Sequence, residues 1–533
     1  VTTMEFDLII RNGTVIDGSG QPGVAADVGI RGDRIAAVDD LAAATAAQTL
    51  DATGQVVSPG FIDIHTHSDF TLLLDPHGEG MVRQGVTTNV IGNCSLGCYP
   101  VRADGREALQ ETLTWLSAAD VEWDWTDLES YRRRFNSQGA ALNVASLVGH
   151  TAIRTAAMGY DQRAPTADEL VDMRRLVAEA MEQGAVGMSV GLTYAPSGYA
   201  DTEELVSLAE VVGRYGGFYA AHQRVEMETQ YEARLETLEI VRRAGLPAQM
   251  SHNNVGGKHF WHLLPEILDL LDRETARGID VTFDVYPYDA GMSTTDQVMP
   301  PWAQEGGAAA LLARLRDPDT RRKIREELRE GRGRGPEPWD WEGIRVTDLE
   351  EPGDSAWSGK TVGEVAGIIG VEPLEALLVL TECRAAATFH LQNLDNTRLL
   401  MQHPLGMIGS DGNAVTIGAP SLRGRPHPRF FGTFPRYIGT FVRDEGLLPL
   451  PEAIRKITSA PAQRLALRDR GLVERGRVAD VTVFDPDAIT DHATFDNPLQ
   501  YASGVDSVLV GGEFVLRQGE TTEALPGRAL ARG

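Results

Sequence analysis

Cysteine is scarce: a chain of 533 residues holds only three, Cys94, Cys98 and Cys383. So few exclude a disulfide framework. Each cysteine is left as a core thiol, a ligand or a nucleophile. Long hydrophobic runs are missing as well. No apolar stretch approaches the roughly 18 residues of a membrane span. The opening residues, VTTMEFDLII, have neither the basic segment nor the long apolar segment of a secretory signal. These absences predict a cytoplasmic protein with no membrane partner. Positive charge is in deficit: 49 Lys and Arg face 76 Asp and Glu, a formal net charge of −27. Such a surface repels nucleic acid and anionic lipid, which points to a small-molecule ligand. The sequence leaves the oligomeric state open.

The two ends of the chain share one texture. FDLIIRNGTVIDG, ADVGIRGDRIAAV and QTLDATGQVVSPG near the start, and ADVTVFDP and VDSVLVGGEFVLRQGE near the end, read as short strands with turns. Asn12-Gly13 carries a hairpin signal. Neither end has strands enough alone, and chain termini often lie close together. One small β-sandwich domain built from residues 1–58 and 466–533 is therefore expected, with the middle of the chain inserted into it.

That middle, residues 59–465, alternates short apolar runs with amphipathic stretches. Eight candidate strands follow in order: GFIDIH, GVTTNVIG, ALNVASLVG, AVGMSVGL, GFYAAH, PAQMSH, DVTFDVY and GMIGSD. Between them lie helical patterns such as TADELVDMRRLVAEAMEQG, in which Thr166 and Glu169 fit a capping box and Gly184 a C-terminal cap. Eight alternating strands and helices predict an α/β fold of the (β/α)8 TIM-barrel type. A doubly wound sheet is the rival, but the first strand lacks a glycine-rich phosphate fingerprint. One irregular segment, about 288–360, interrupts the rhythm with the charge run RRKIREELREGRGRG and the Trp-rich PEPWDWEG. It reads as a solvated helix and loop, or as an insertion over the barrel mouth that acts as a lid.

Polar residues fall at the strand ends. In GFIDIHTHSD, His65 and His67 lie two apart and so point the same way from an extended chain. A lone histidine there would most simply be a hydrogen-bonded core residue; a pair at one point suits a metal. The ends of other candidate strands add Cys94, His222, His252 and Asp411, at the edge where barrel active sites are built.

These stretches, with LVGHTAIR, MSHNN, DVYPYDAG, IGSDG and HPRFFGTFPR, resemble the amidohydrolase superfamily and, within it, the N-acyl-D-amino-acid deacylase (D-aminoacylase) group. The likeness spans essentially the whole chain. It implies a zinc-dependent hydrolase that cleaves the amide bond of N-acyl amino acids, D in configuration, to a carboxylate and a free amino acid. It implies one tight zinc on Cys94, His222 and His252, and a second, weaker position among His65, His67 and Asp411. Many superfamily members bridge two metals with a carboxylated lysine. No lysine stands on the corresponding strands here, and a Cys94 thiolate can supply the missing charge. Asp411 is the implied general base and acid. Cys98 and Cys383 read as buried thiols, and His150 and Arg154 as structural.

For substrate binding, the resemblance implies Tyr286 and Arg429 on the α-carboxylate of an N-acyl substrate. The group's lysine after the strand-six histidine is replaced by Asn254, and its threonine after YPY by Asp289. One cation lost and one anion gained suggest an alternative: the same metal chemistry on a neutral or cationic amide, dipeptide derivative or lactone without a free α-carboxylate.

Overall fold

A computed structural model describes residues 5–117, 120–224, 227–331, 339–350 and 353–532. Its centre is a barrel of eight parallel strands, β1 (Phe61–Asp63), β2 (Val86–Ile91), β3 (Asn143–Gly149), β4 (Gly187–Gly191), β5 (Phe218–His222), β6 (Ala248–Met250), β7 (Val281–Val285) and β8 (Gly406–Ile408). They pair in sequence order and are the eight candidate strands of the sequence. Closure occurs just past β1 and β8, where Asp411 N donates to His65 O at 2.8 Å and His67 N to Gly412 O at 2.9 Å. Helices cover the outer face, so the strands are buried on both sides. Helix Ala167–Glu182 shows why one such element starts and stops where it does. Thr166 and Glu169 cap each other's backbone reciprocally, and Gly184 takes φ +102 just beyond the end.

Strands from both chain ends form one nine-stranded sheet. Phe6–Val15 sits at its branch point, pairing antiparallel with Val24–Arg31 and parallel with Ala46–Asp51 and Val56–Pro59. Val481–Phe484 then joins the C-terminal strands to Val56–Pro59. Ile10, Val28, Val57, Val481 and Leu509 share one core, so neither end buries its apolar face without the other. The hairpin expected at Asn12-Gly13 does not form. Asn12 has φ +62 and makes a bulge within a continuous strand. A side chain at Gly13 would meet Val57 Cγ2 at 2.5 Å, so glycine is needed there for packing rather than turning. The last described residues leave this sheet and run beside β3, where Leu530 N donates to Val144 O at 2.7 Å.

Between β7 and β8 lies an insertion with its own core. Its three-stranded sheet joins Gly291–Thr294, Ile344–Asp348 and Ala386–Phe389, so it continues past the residue-360 limit expected from sequence. The charge run forms helix Pro318–Arg329. Its Ile324 and Leu328 are fully buried, and Arg321 pairs with Glu375 and Glu382 on helix Pro373–Glu382. Residues 332–335 of that run and 336–338 of the Trp-rich stretch lie outside the described residues. No helix among the described residues is long and apolar enough to cross a membrane.

Candidate metal centre and cleft

The strand ends converge as the barrel geometry requires. Ligand-capable atoms of His65, His67, Cys94 and Asp411 lie within 4.8 Å of one another, and so do those of Cys94, His222 and His252. The two groups share Cys94. Its sulfur is 3.1 Å from His65 Nε2 and 3.6 Å from His252 Nε2. His67 Nε2 is 2.9 Å from Asp411 Oδ1. All six residues foreseen as ligands are thus in one place.

Three of them occupy the left-handed backbone region, Cys94 at φ +52, His252 at +31 and Asp411 at +53. Such conformations cost about 1–3 kcal/mol each in non-glycine residues and persist where the surroundings enforce them. Part of that enforcement is visible for Cys94. Ser95 N donates to Ser189 Oγ at 3.0 Å. Gly191 lets the loop approach β4, since a Cβ there would fall 2.2 Å from Cys94 O.

Burial opposes ionisation of Cys94, but the imidazoles of His65, His222 and His252 outweigh it and hold the thiol well below its ordinary range. Burial also opposes charge on Asp411. Arg429, then His65 and His67, overcome it and keep the carboxylate ionised. A thiolate, a carboxylate and four imidazoles make a donor set for a divalent cation such as zinc. His67 Nδ1 and His222 Nδ1 are buried without hydrogen-bond partners, as ring nitrogens open to a metal would be. The residues therefore fit a metal.

Several supporting groups were not foreseen from the sequence. Asp284 on β7 accepts from His65 Nδ1 at 3.0 Å, from His252 N at 2.8 Å and from Gln249 Nε2 at 2.9 Å. It braces one histidine of each group, as carboxylates behind metal-binding histidines do. Its place in the strand DVTFDV is the one available cue, since a polar residue in a buried parallel strand demands a partner. Thr193 Oγ1 lies 2.6 Å from His222 Nε2. Burial pushes Asp63 up to about 7, although it accepts from Ser410 N at 2.9 Å.

The cleft over the cluster encloses about 1060 Å³, part of it open to solvent, and residues of the insertion such as Met292, Gln297 and Gln392 form one wall. Tyr286 and Asn254 line it; Arg429 and Asp289 do not. Arg429 is 2% exposed. It sits over the Tyr286 ring at 5.0 Å, with Nη1 2.8 Å from Asp411 Oδ2. The Asp289 carboxylate is 3.9 Å from His390 Nδ1 and 44% exposed, so the anion foreseen beside the substrate is turned elsewhere. Cys98 and Cys383 are buried free thiols. His150 and Arg154 both grip Glu204, at 2.9 and 2.5 Å, and anchor helix Thr202–Arg214 behind the barrel.

The model of the Amidohydrolase family matches residues 48–516. The chain belongs to that family, in its D-aminoacylase group. It is 37% identical to a D-aminoacylase of Alcaligenes xylosoxydans xylosoxydans, over 99% of this chain and 98% of that protein. An N-acyl-D-glutamate deacylase from the same organism is 35% identical, over 99% of this chain and 97% of the relative. Among solved structures, the N-acyl-D-glutamate deacylase of Bordetella bronchiseptica, complexed with zinc and a phosphonate mimic of the tetrahedral intermediate, superposes with a TM-score of 0.83 at 31% identity, covering 99% of this chain and all of that one. A D-aminoacylase structure concerned with a binuclear metal centre, one-metal activation and second-metal attenuation gives 0.82 at 35%, with the same coverage. The protein is a metal-dependent amidohydrolase.

Proposed function

We propose that this amidohydrolase removes the acyl group from N-acyl-D-amino acids, with one zinc held tightly by Cys94, His222 and His252 and a weaker second position among His65, His67 and Asp411. The observation that carries this reading is the Cys94 sulfur, shared by both ligand groups and bordered by Asp411. The similarity to deacylases over nearly the full length supports the substrate class. Three buried, unpaired cysteines suit a reducing cytoplasm.

A divalent metal held by these residues would polarise a carbonyl and acidify water. The chain's own groups do the rest. Asp411, ionised beside Arg429, takes a proton from the attacking water on a carboxylate oxygen and passes it to the departing amide nitrogen. The water oxygen bonds to the carbonyl carbon and the C–N bond breaks, giving the carboxylate of the acyl group and a free amino acid. Arg429 fixes the Asp411 carboxylate, and Asp284 fixes the His65 ring. The Tyr286 hydroxyl, which accepts from Gln392 Nε2 at 2.9 Å, sits on the cleft wall as a hydrogen-bonding group for the substrate.

The test is a panel of N-acyl-D- and N-acyl-L-amino acids, with their carboxamides, on zinc-loaded protein. Turnover of the D series and none of the L series is expected. Preferential hydrolysis of the carboxamides would favour the alternative substrate class. Turnover of neither would overturn the reading.

A further inference from the structure

Arg234 belongs to helix Gln230–Ala244, which follows β5. Its side chain is 1% exposed, yet it lines the metal cleft, and it is the one arginine or lysine to do so among the described residues. Its partners are all neutral. Nε donates to Asn253 Oδ1 at 3.0 Å, Nη1 to Gln230 O at 2.9 Å and Nη2 to Asn254 O at 2.8 Å. No carboxylate among the described residues pairs with it. A guanidinium carries five N–H groups, so one on each terminal nitrogen is left over.

A buried charge without a counter-ion is unusual, because taking a cation out of water is costly unless it is paired. Burial alone pulls this guanidinium down to about 10, and it remains charged at neutral pH. The position is as telling as the charge. Arg234 holds the carbonyl of Asn254, two residues beyond His252. Asn254 itself is 9% exposed, and its side-chain amide makes no well-aligned hydrogen bond. The other buried arginine nearby, Arg429, is already neutralised by Asp411.

We propose that Arg234 is the cation that recognises a carboxylate of the substrate, supplying from the helix after β5 the positive charge that residue 254 lacks. This rests on the deacylase reading above. The two remaining N–H groups, one on each terminal nitrogen, can donate to the oxygens of a carboxylate. The Asn254 amide lies beside it as a neutral donor. The substrate's α-carboxylate and an acidic side chain share this chemistry.

The test uses binding to the zinc-loaded protein, so that it does not depend on turnover. The probes are N-methylsulfonyl-D-leucine and N-methylsulfonyl-D-glutamate, whose sulfonamide replaces the scissile amide, together with their α-carboxamides and, for glutamate, the γ-carboxamide. Arg234→Gln is expected to weaken the carboxylate probes about 10- to 150-fold, the range of one hydrogen bond to a charged group. Arg234→Lys should recover part of that loss, and the matching carboxamide should bind Arg234→Gln and parent alike. Loss for both leucine and glutamate probes assigns Arg234 to the α-carboxylate. Loss only where the γ-carboxylate is free assigns it to the side chain. Equal loss for carboxylate and carboxamide, with a lowered melting temperature, would make Arg234 a structural residue and overturn the proposal. So would parent protein that binds no carboxylate probe. Arg234-dependent binding without hydrolysis of any N-acyl-D-amino acid would instead retain the proposal and remove the deacylase reading.

Discussion

Arg429 Nη1 lies 2.8 Å from Asp411 Oδ2, with the two side chains 2% and 10% exposed. The contact is a close ion pair, and it ties the proton-carrying carboxylate to the segment His427–Phe430 rather than leaving it mobile over the metal site. Asp411→Asn removes the base while preserving the shape. Turnover is expected to fall by at least the ~10²–10⁴-fold attributed to general acid–base catalysis, with a folded barrel by circular dichroism. Activity within tenfold of the parent would show that another group moves the proton.

Removing the other partner tests stability. Arg429→Met leaves a buried carboxylate without its strongest counter-charge, and breaking such a pair costs about 3–5 kcal/mol. Denaturant unfolding of the zinc-loaded protein reads this directly. An unchanged midpoint would mean that Asp411 draws its stabilisation elsewhere.

Cys94 belongs to both ligand groups. Cys94→Ala takes away the sole thiolate and should strip tightly held zinc to well below one equivalent after dialysis, measured by elemental analysis. Full zinc retention in this variant would remove Cys94 from the site.

Asp284 touches no substrate in the proposed mechanism. Asp284→Ala frees the His65 ring and the His252 backbone, and loss of such a partner typically lowers metal affinity 10- to 100-fold. Competition with a fluorescent chelator measures the change. Affinity equal to the parent's would show that the rings are oriented by packing alone.

Lys456 supplies a pH effect remote from the metal. It is 1% exposed and donates to His403 O and Gly406 O beneath β8. Burial pulls its ammonium from 10.5 down to about 8. Below pH 8 both folded and unfolded states are protonated, and the folded state bears the full penalty. From about 8 towards 10.5 the folded protein releases its proton first, so this group adds stability as pH rises. Relative to Lys456→Met, the parent should gain on the order of 3 kcal/mol between pH 7 and 10.5. Parallel stability curves for the two proteins would refute a lowered lysine.

The sequence by itself determined the barrel, because eight short, largely apolar runs of a length that parallel pairing demands alternate with helical patterns, and five of those runs lead at or just past their ends into a His, Cys or Asp that such a strand cannot bury without purpose. His65 and His67 announced a metal by spacing alone; Cys94, His222, His252 and Asp411 gained meaning from their equivalent places at strand ends. Tertiary structure decided what depended on distance between segments. Asn12-Gly13 has the local chemistry of a turn, and only packing against Val57 made it a bulge in a continuous strand. Asp289 follows Tyr288 in a segment whose course is set by the insertion, so its turn towards His390 could not be read from its neighbours. Asp284 is a lone acid in a strand, and Arg234 is one of three arginines on an amphipathic helix. Each looks ordinary in one dimension, because the partners that distinguish them, two histidines for one and no acid for the other, are assembled only when the chain closes.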